Sequence, residues 1–253
     1  MELEPVIFYL WLGLCGLVLG SFYNVVIYRY QAGISIIRPR SHCPHCKKIL
    51  KTADLVPVFS YLFLRGRCRY CHKAISFRYT AVELCSAAIF MAAFWRFGFS
   101  PDLLKYIPLF SILLIISLID LDIQKIPNIF VGIIFAWALL WQLISPALSW
   151  IDAALGLLVG GGITLLIALA SRGGMGGGDI KLFAALGFLA GWFDLLLIFL
   201  IAVLLGAVAG IILIIVQKKT VKAALPFGPF IAAAYVIVVF WGAQIWDFYF
   251  SIF

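Results

Sequence analysis

A chain of 253 residues of which 65% are hydrophobic and 12% charged, with a mean hydropathy of +1.12, has too much apolar surface for a water-soluble domain of its size to cover. The soluble enzyme classes are therefore excluded. The formal charge of +8 comes without a stacking platform or a groove-reading motif, so it points to topology and anionic membrane lipids and not to nucleic acid.

In chain order, the first apolar run covers about residues 5–28. Glu2 and Glu4 stand where a signal peptide would be basic, and the run is too long for a cleavable apolar core, so it reads as a permanent span. Further runs lie near 81–97, 103–120, 127–145, 151–170, 194–216 and 226–247, each of bilayer-crossing length. A shorter one, "IKLFAALGFLAG" at 180–191, would reach only about 18 Å as a helix and reads as a short span or a re-entrant segment. Counting it gives eight crossings. With residue 1 outside, the inner loops are then 29–80, 121–126, 171–179 and 217–225, and they hold or adjoin 17 of the 19 Lys and Arg residues. That asymmetry satisfies the positive-inside rule. Omitting the short segment would put Lys218, Lys219 and Lys222 outside. The expected fold is an all-α polytopic membrane protein of about eight transmembrane helices with a small cytosolic zinc-knuckle domain. Its expected divisions are a first helix (1–28), the zinc-binding domain (29–80) and a transmembrane catalytic domain (81–253).

Loop 29–80 carries "CPHC" at 43–46 and "CRYC" at 68–71, two pairs separated by 21 residues. This spacing suits a zinc site of four thiolates, Cys43, Cys46, Cys68 and Cys71. "CPHCKKIL" and "CRYCHKAI" read as two similar knuckles, and a short loop with little core of its own gains from a metal staple. A cytosolic setting disfavours disulfides. Four thiolates leave no open coordination position, so the zinc is expected to be structural. His42, His45 and His72 are close enough in sequence to replace a cysteine. Cys15 and Cys85, inside apolar runs, read as small packing residues. "GLLVGGG" at 156–162 reads as close helix packing.

An ionisable residue at the edge of a span is costly and suggests function. Asp120 and Asp122 end the third span in "LIISLIDLDIQKIPN". Two residues apart on a helix, they face roughly 200° apart, so only one can turn inward. Asp179 opens the sixth span after "GGMGGG". The threading puts Asp120 and Asp179 at the same cytoplasmic depth. Carboxylates brought together there share a proton, so that one serves as base toward water and the other as acid toward a carbonyl or leaving nitrogen. The glycines Gly176, Gly177 and Gly178 would allow a peptide backbone to approach. The plainer reading is a flexible loop with a helix-capping aspartate, and from these residues both readings stand.

At these motifs the chain resembles the type IV prepilin peptidase family, the leader peptidases and N-methyltransferases. "LGSFYNVVIYR" (19–29), the paired "CxxC" knuckles, "RYTAVEL" (78–84), "IDLDIQKIPN" (119–128), "GMGGGDIKL" (174–182) and "PFGPFIAAA" (226–234) follow the family's order over nearly the whole chain. "YRYQAG" after the first signature departs from its pattern. The resemblance implies an intramembrane aspartic peptidase with Asp120 and Asp179 as the catalytic pair and Asp122 secondary. The implied substrates are prepilins or pseudopilins with a basic leader, cleaved at the cytoplasmic edge of the bacterial plasma membrane. It also implies methylation of the new N-terminus from S-adenosylmethionine, for which no glycine-rich dinucleotide-type fingerprint is present. An ion-coupled transporter and a non-catalytic pilus or secretion assembly factor are the rival readings. The first would show in a flux assay, and the second predicts that both carboxylates are dispensable.

Overall fold

The computed structural model describes residues 3–38, 40–171, 174–217 and 225–252. Lys218, Lys219 and Lys222, on which part of the charge argument rests, lie outside the described residues, as do Glu2 and Arg172. Among the described residues the regular structure is helical, with isolated bridges at His42–Ile49 and Arg67–Ala74. The helices are α1 (Leu3–Ala32), α2 (Phe59–Phe63), α3 (Arg78–Phe97), α4 (Pro101–Ile123), α5 (Asn128–Ile144), α6 (Trp150–Ala170), α7 (Gly177–Gln217) and α8 (Gly228–Ser251). Six of them, α1, α3, α4, α6, α7 and α8, are long and apolar enough to cross a membrane, and α5 is a shorter apolar helix. The protein is therefore an all-α, multi-pass membrane protein. The chain divides into two compact units, Met1–Ser111 and Ile112–Phe253, with the boundary inside α4.

In the first unit α1 packs on α3 through small residues. A Cβ on Gly16 would lie 2.6 Å from the Ala87 Cα, and one on Gly20 would lie 2.7 Å from the Glu83 Cα. This four-residue spacing of glycines lets helix backbones approach closely. Leu12, Phe90, Ala93, Phe94 and Leu103 form a core at the other end of these helices. Tyr23 of α1 donates to Ser111 of α4 at 2.8 Å. Helix α1 runs four residues past the end of the apolar run, to Ala32.

The second unit is built on α6 and α7. A Cβ on Gly156 would run into the Gly187 carbonyl, and one on Gly160 would lie 2.6 Å from the Phe183 carbonyl oxygen, so the glycines read as a packing surface do pack closely. Helix α7 is not one rod. Gly191 has φ 81° and ψ 164°, which breaks the helix between the two apolar stretches separated in the sequence reading. In an unbroken helix residues 183 and 199 would be about 24 Å apart, yet the rings of Phe183 and Phe199 have centroids 5.6 Å apart. The two halves of α7 therefore fold back on each other as a helical hairpin. Leu182, Phe183, Leu186, Leu195 and Ile198 of the hairpin, with Ile231 and Tyr235 of α8, are fully buried.

Candidate active site and metal centre

The end of α4 sets the first carboxylate. Gln124 adopts φ 52° and its N–H closes the last turn on the Asp120 carbonyl at 2.8 Å, ending the helix so that Pro127 can lead into α5. Asp120 is 5% exposed, whereas Asp122 lies on the exposed face, as their spacing requires. Asp120 Oδ2 accepts the Gly228 N–H at 2.8 Å. Gly228 opens α8, where an N–H has no partner within the helix.

The second carboxylate belongs to the first turn of α7. Asp179 is the third helical residue, and its Oδ2 accepts the Gly176 N–H at 3.1 Å, the backward half of a capping box. Asp179 thus caps the helix from inside the first turn and not from the position before it. It interacts electrostatically with Asp120, from 59 positions away in sequence. Lys181 donates to Asn128 Oδ1 at 2.9 Å, which ties the starts of α7 and α5.

This arrangement constrains α7. The end of α4, the start of α7 and the start of α8 meet at one end of the unit. Only a hairpin in α7 returns the chain to that end in time for Gly228.

The glycines beside Asp179 differ in what they permit. None of Gly176, Gly177 and Gly178 has a positive φ, so close approach, not backbone handedness, is the feature at issue. A Cβ on Gly178 would lie 2.8 Å from the Ile126 Cβ, and one on Gly176 would lie 2.8 Å from Asp179 Oδ2. A Cβ on Gly177 would meet nothing within 4 Å. Gly178 serves packing, Gly176 serves the cap, and Gly177 faces open space. Gly177 and Gly178 already lie in the helix, so its first turn stands where the sequence also allowed a flexible loop.

The cysteines converge in the first unit. The sulfurs of Cys43, Cys46, Cys68 and Cys71 all lie within 4.8 Å of one another, and Cys43 and Cys71 are 3.9 Å apart. Tetrahedral zinc with thiolate bonds of about 2.3 Å needs sulfurs roughly 3.8 Å apart, so the four thiols fit a metal ion. No histidine joins the cluster, and His42 Nδ1 instead lies 3.2 Å from the Arg40 carbonyl. The two knuckles repeat each other's backbone bonds. Cys43 N–H donates to Lys48 and Lys47 N–H to Cys43, while Cys68 N–H donates to Lys73 and His72 N–H to Cys68. Lys47 and His72 share the left-handed conformation, at φ 58° and 57°. The Lys73 N–H favours a thiolate at Cys71, but desolvation and the three neighbouring thiols push this thiol up to about 11. Asp54 ties the knuckles together, accepting from Arg69, from Tyr70 at 3.1 Å and from the Lys51 N–H at 3.0 Å. Burial opposes its charge, but these three donors hold its carboxyl below the usual range.

The sequence reading singled out both aspartates and all four cysteines, and the structure brings the four thiols together. That reading missed the Gly228 N–H, although "PFGPF" was visible, because the sequence does not reveal what a backbone group will meet.

The model of the bacterial peptidase A24 N-terminal domain matches residues 14–97, and that of the type IV leader peptidase family matches residues 107–211. A prepilin leader peptidase/N-methyltransferase of Bacillus subtilis is 40% identical over 234 residues, covering 92% of this chain and 94% of that protein. A protein of the same description from Legionella pneumophila is 34% identical over 275 residues, covering 97% and 95%. A type 4 prepilin-like proteins leader peptide-processing enzyme of Escherichia coli is 36% identical over 259 residues, covering 89% and 91%. No solved structure matches.

Proposed function

We propose that this chain, which belongs to the type IV leader peptidase family, removes the leader of prepilins or pseudopilins and then N-methylates the new N-terminus. The observation that carries the peptidase reading is the pair Asp120 and Asp179. Distant in sequence, they come from opposite kinds of helix end, and each is held through one oxygen by a backbone N–H. Among the described residues no hydrogen bond is made to the second oxygen of either carboxylate, which leaves it for chemistry.

In the proposed reaction one carboxylate takes a proton from water as the water oxygen bonds to the scissile carbonyl carbon. The other, protonated, gives its proton to the carbonyl oxygen. The carbon–nitrogen bond then breaks, the departing nitrogen takes a proton from the group that acted as base, and the other carboxylate takes back a proton from a hydroxyl of the tetrahedral intermediate, which restores the starting pair. Asp122, on the exposed face, takes no part. Gly176, Gly177 and Gly178 form the edge at which the substrate backbone approaches, with Gly177 as the open position.

The chain is proposed to make eight crossings of the bacterial plasma membrane, two of them by α7, in contact with its lipids. The knuckle domain and the aspartates then lie on the cytoplasmic side, where a basic leader remains. In functional terms the chain divides as 1–28, the zinc domain 29–80 and the peptidase domain 81–253. Zinc held by Cys43, Cys46, Cys68 and Cys71 braces the knuckles. S-adenosylmethionine, when bound, supplies an electrophilic methyl group for the new amine. A carrier has no use for a four-thiolate domain, and an assembly factor has none for two carboxylates held in register.

Cleavage of a prepilin with a basic leader and a Gly–Phe junction tests the peptidase reading. Asp120→Asn and Asp179→Asn should each lower the rate about 100-fold or more, the usual scale of a lost acid or base. Asp122→Asn should stay within about threefold. Normal cleavage without Asp179 would remove the mechanism.

A further inference from the structure

Helix α2 exposes apolar side chains that neither the metal centre nor the peptidase chemistry uses. Phe63 is 84% exposed and Leu62 62%, and Val56 and Phe59 are exposed beside them. Tyr61 turns the other way. Its hydroxyl would lie 2.9 Å from a Cβ on Gly66, and its ring centroid is 6.0 Å from that of Phe77. The short helix therefore has an inner face on Gly66 and Phe77 and an apolar outer face. Large apolar side chains exposed together mark a contact surface. From residue 55 to residue 82 the sequence has no Asp or Glu and five Lys or Arg. Arg65 and Arg67, both exposed, follow α2 at once.

The depth of α2 decides what covers that face. Helix α3 has 20 residues, about 30 Å of helix, which is the thickness of the hydrocarbon core it would cross. Its first residue, Arg78, then stands at the edge of that core. Glu83 lies about 7.5 Å further along the helix. Its side chain leans back toward the start of α3, as helical side chains do, and accepts the Val58 N–H at 2.7 Å. Val58 is the residue before α2. This bond fixes α2 at the boundary between acyl chains and headgroups, the depth at which amphipathic helices lie in a membrane surface. Backbone at such a depth must find its partners within the protein. The N–H groups of Ser60, Leu62, Leu64, Gly66 and Arg67 all reach backbone carbonyls of residues 56–64.

We propose that residues 55–67 anchor the knuckle domain in the cytoplasmic leaflet, with Phe59, Leu62 and Phe63 among the acyl chains and Arg65 and Arg67 at the phosphates of anionic lipids. An arginine reaches toward headgroups while its stem stays on apolar surface, and the negative potential of such a leaflet attracts it. The inference rests on the cytoplasmic placement of the knuckle domain proposed above. It makes the membrane surface part of what holds the four-cysteine domain in place, beside the bond to α3.

The test places the full chain in vesicles containing a phosphatidylcholine with a diazirine on its acyl chain. After illumination the lipid should be attached to α2 to within about threefold of its attachment to Leu10, Leu14 and Val18, which are exposed on α1. Phe63→Glu should lower attachment to Phe59 and Leu62 at least about fivefold, with zinc content and thermal midpoint showing that the domain is folded. Adding phosphatidylglycerol should raise attachment to wild-type α2 at least about twofold, and Arg65→Gln with Arg67→Gln should remove that rise. A labelled α1 beside an unlabelled α2, whether α2 is bare in water or covered by a second copy, would overturn the proposal. Unchanged labelling in a folded Phe63→Glu protein would do the same, and no response to phosphatidylglycerol would overturn the role of the arginines. An impermeant amine reagent tests the placement separately. It should modify Lys47 and Lys51, which are exposed, in inverted membrane vesicles and not in intact cells. The reverse pattern would overturn the cytoplasmic placement itself.

Discussion

Gly228→Ala tests whether Asp120, proposed here as one of the catalytic pair, depends on a backbone donor. The added Cβ would lie 2.9 Å from Asp120 Oδ2, 3.2 Å from its Cβ and 3.3 Å from its Cγ. Gly228 does not have a positive φ, so alanine brings no backbone strain and the effect isolates crowding. Asp120 is buried and has little room to retreat. Either its carboxylate turns away from the N–H or the start of α8 shifts. A hydrogen bond to a charged group is worth about 1.5–3 kcal/mol, which corresponds to a rate loss of roughly 10- to 150-fold. The loss should fall on kcat, with KM changed less than about threefold, because the bond orients a reacting group and does not contact substrate. The assay is steady-state cleavage of a prepilin in detergent or liposomes, with the thermal midpoint measured on the same sample. Gly132→Ala is the control, since its Cβ meets nothing within 4 Å, and it should behave as wild type. A Gly228→Ala protein with an unchanged midpoint and kcat within about twofold of wild type would refute the reasoning.

The purified chain should carry about one equivalent of zinc, measured by elemental analysis, and less than half would count against the thiolate site. Replacing Cys43 with Ser should abolish binding and lower the thermal midpoint, because metal binding and folding of so small a domain are linked. Asp54 gives a pH test. Its folded carboxyl is held below its unfolded value, so its stabilisation is full above the unfolded value and is lost as pH falls through the folded one. The difference in thermal midpoint between wild type and Asp54→Asn should therefore be largest near neutrality and shrink on acidification, and a constant difference would contradict the pairing. Gly191→Ala forces a side chain into a backbone region open essentially to glycine alone, costing about 1–3 kcal/mol. It should lower both the midpoint and cleavage, and a neutral result would mean that α7 turns without needing glycine there.

Hydropathy is a one-dimensional signal, and it was informative where the chemistry broke it. Asp120 and Asp179 stood out because a carboxylate interrupts an apolar run, and their common depth followed from counting crossings. The knuckles were legible because the second repeats the first 25 positions later, down to Lys47 and His72 in the same backbone state. Residues 177–217 were harder to read. Gly191 is an ordinary residue by hydropathy, and a short apolar stretch before it can be a span, a half-helix or part of a rod. The Phe183–Phe199 contact resolves the segment into a hairpin, and that contact depends on a dihedral angle that composition does not encode.

Glu83 went unremarked for a related reason. A single carboxylate near the start of a span looks like an interfacial residue until Val58, 25 positions away, is seen to donate to it. Gly228 was hidden more deeply, because its contribution is an N–H that every residue but proline possesses. The groups legible in advance are those that pay a solvation cost where they stand. The groups that hold them in place are backbone donors and small residues, which are indistinguishable from their neighbours until the helix ends meet. Substitutions at Gly228 and Gly191 are therefore sharper tests of this fold's chemistry than further changes to the aspartates, because they leave every titratable group intact and alter only where the groups stand.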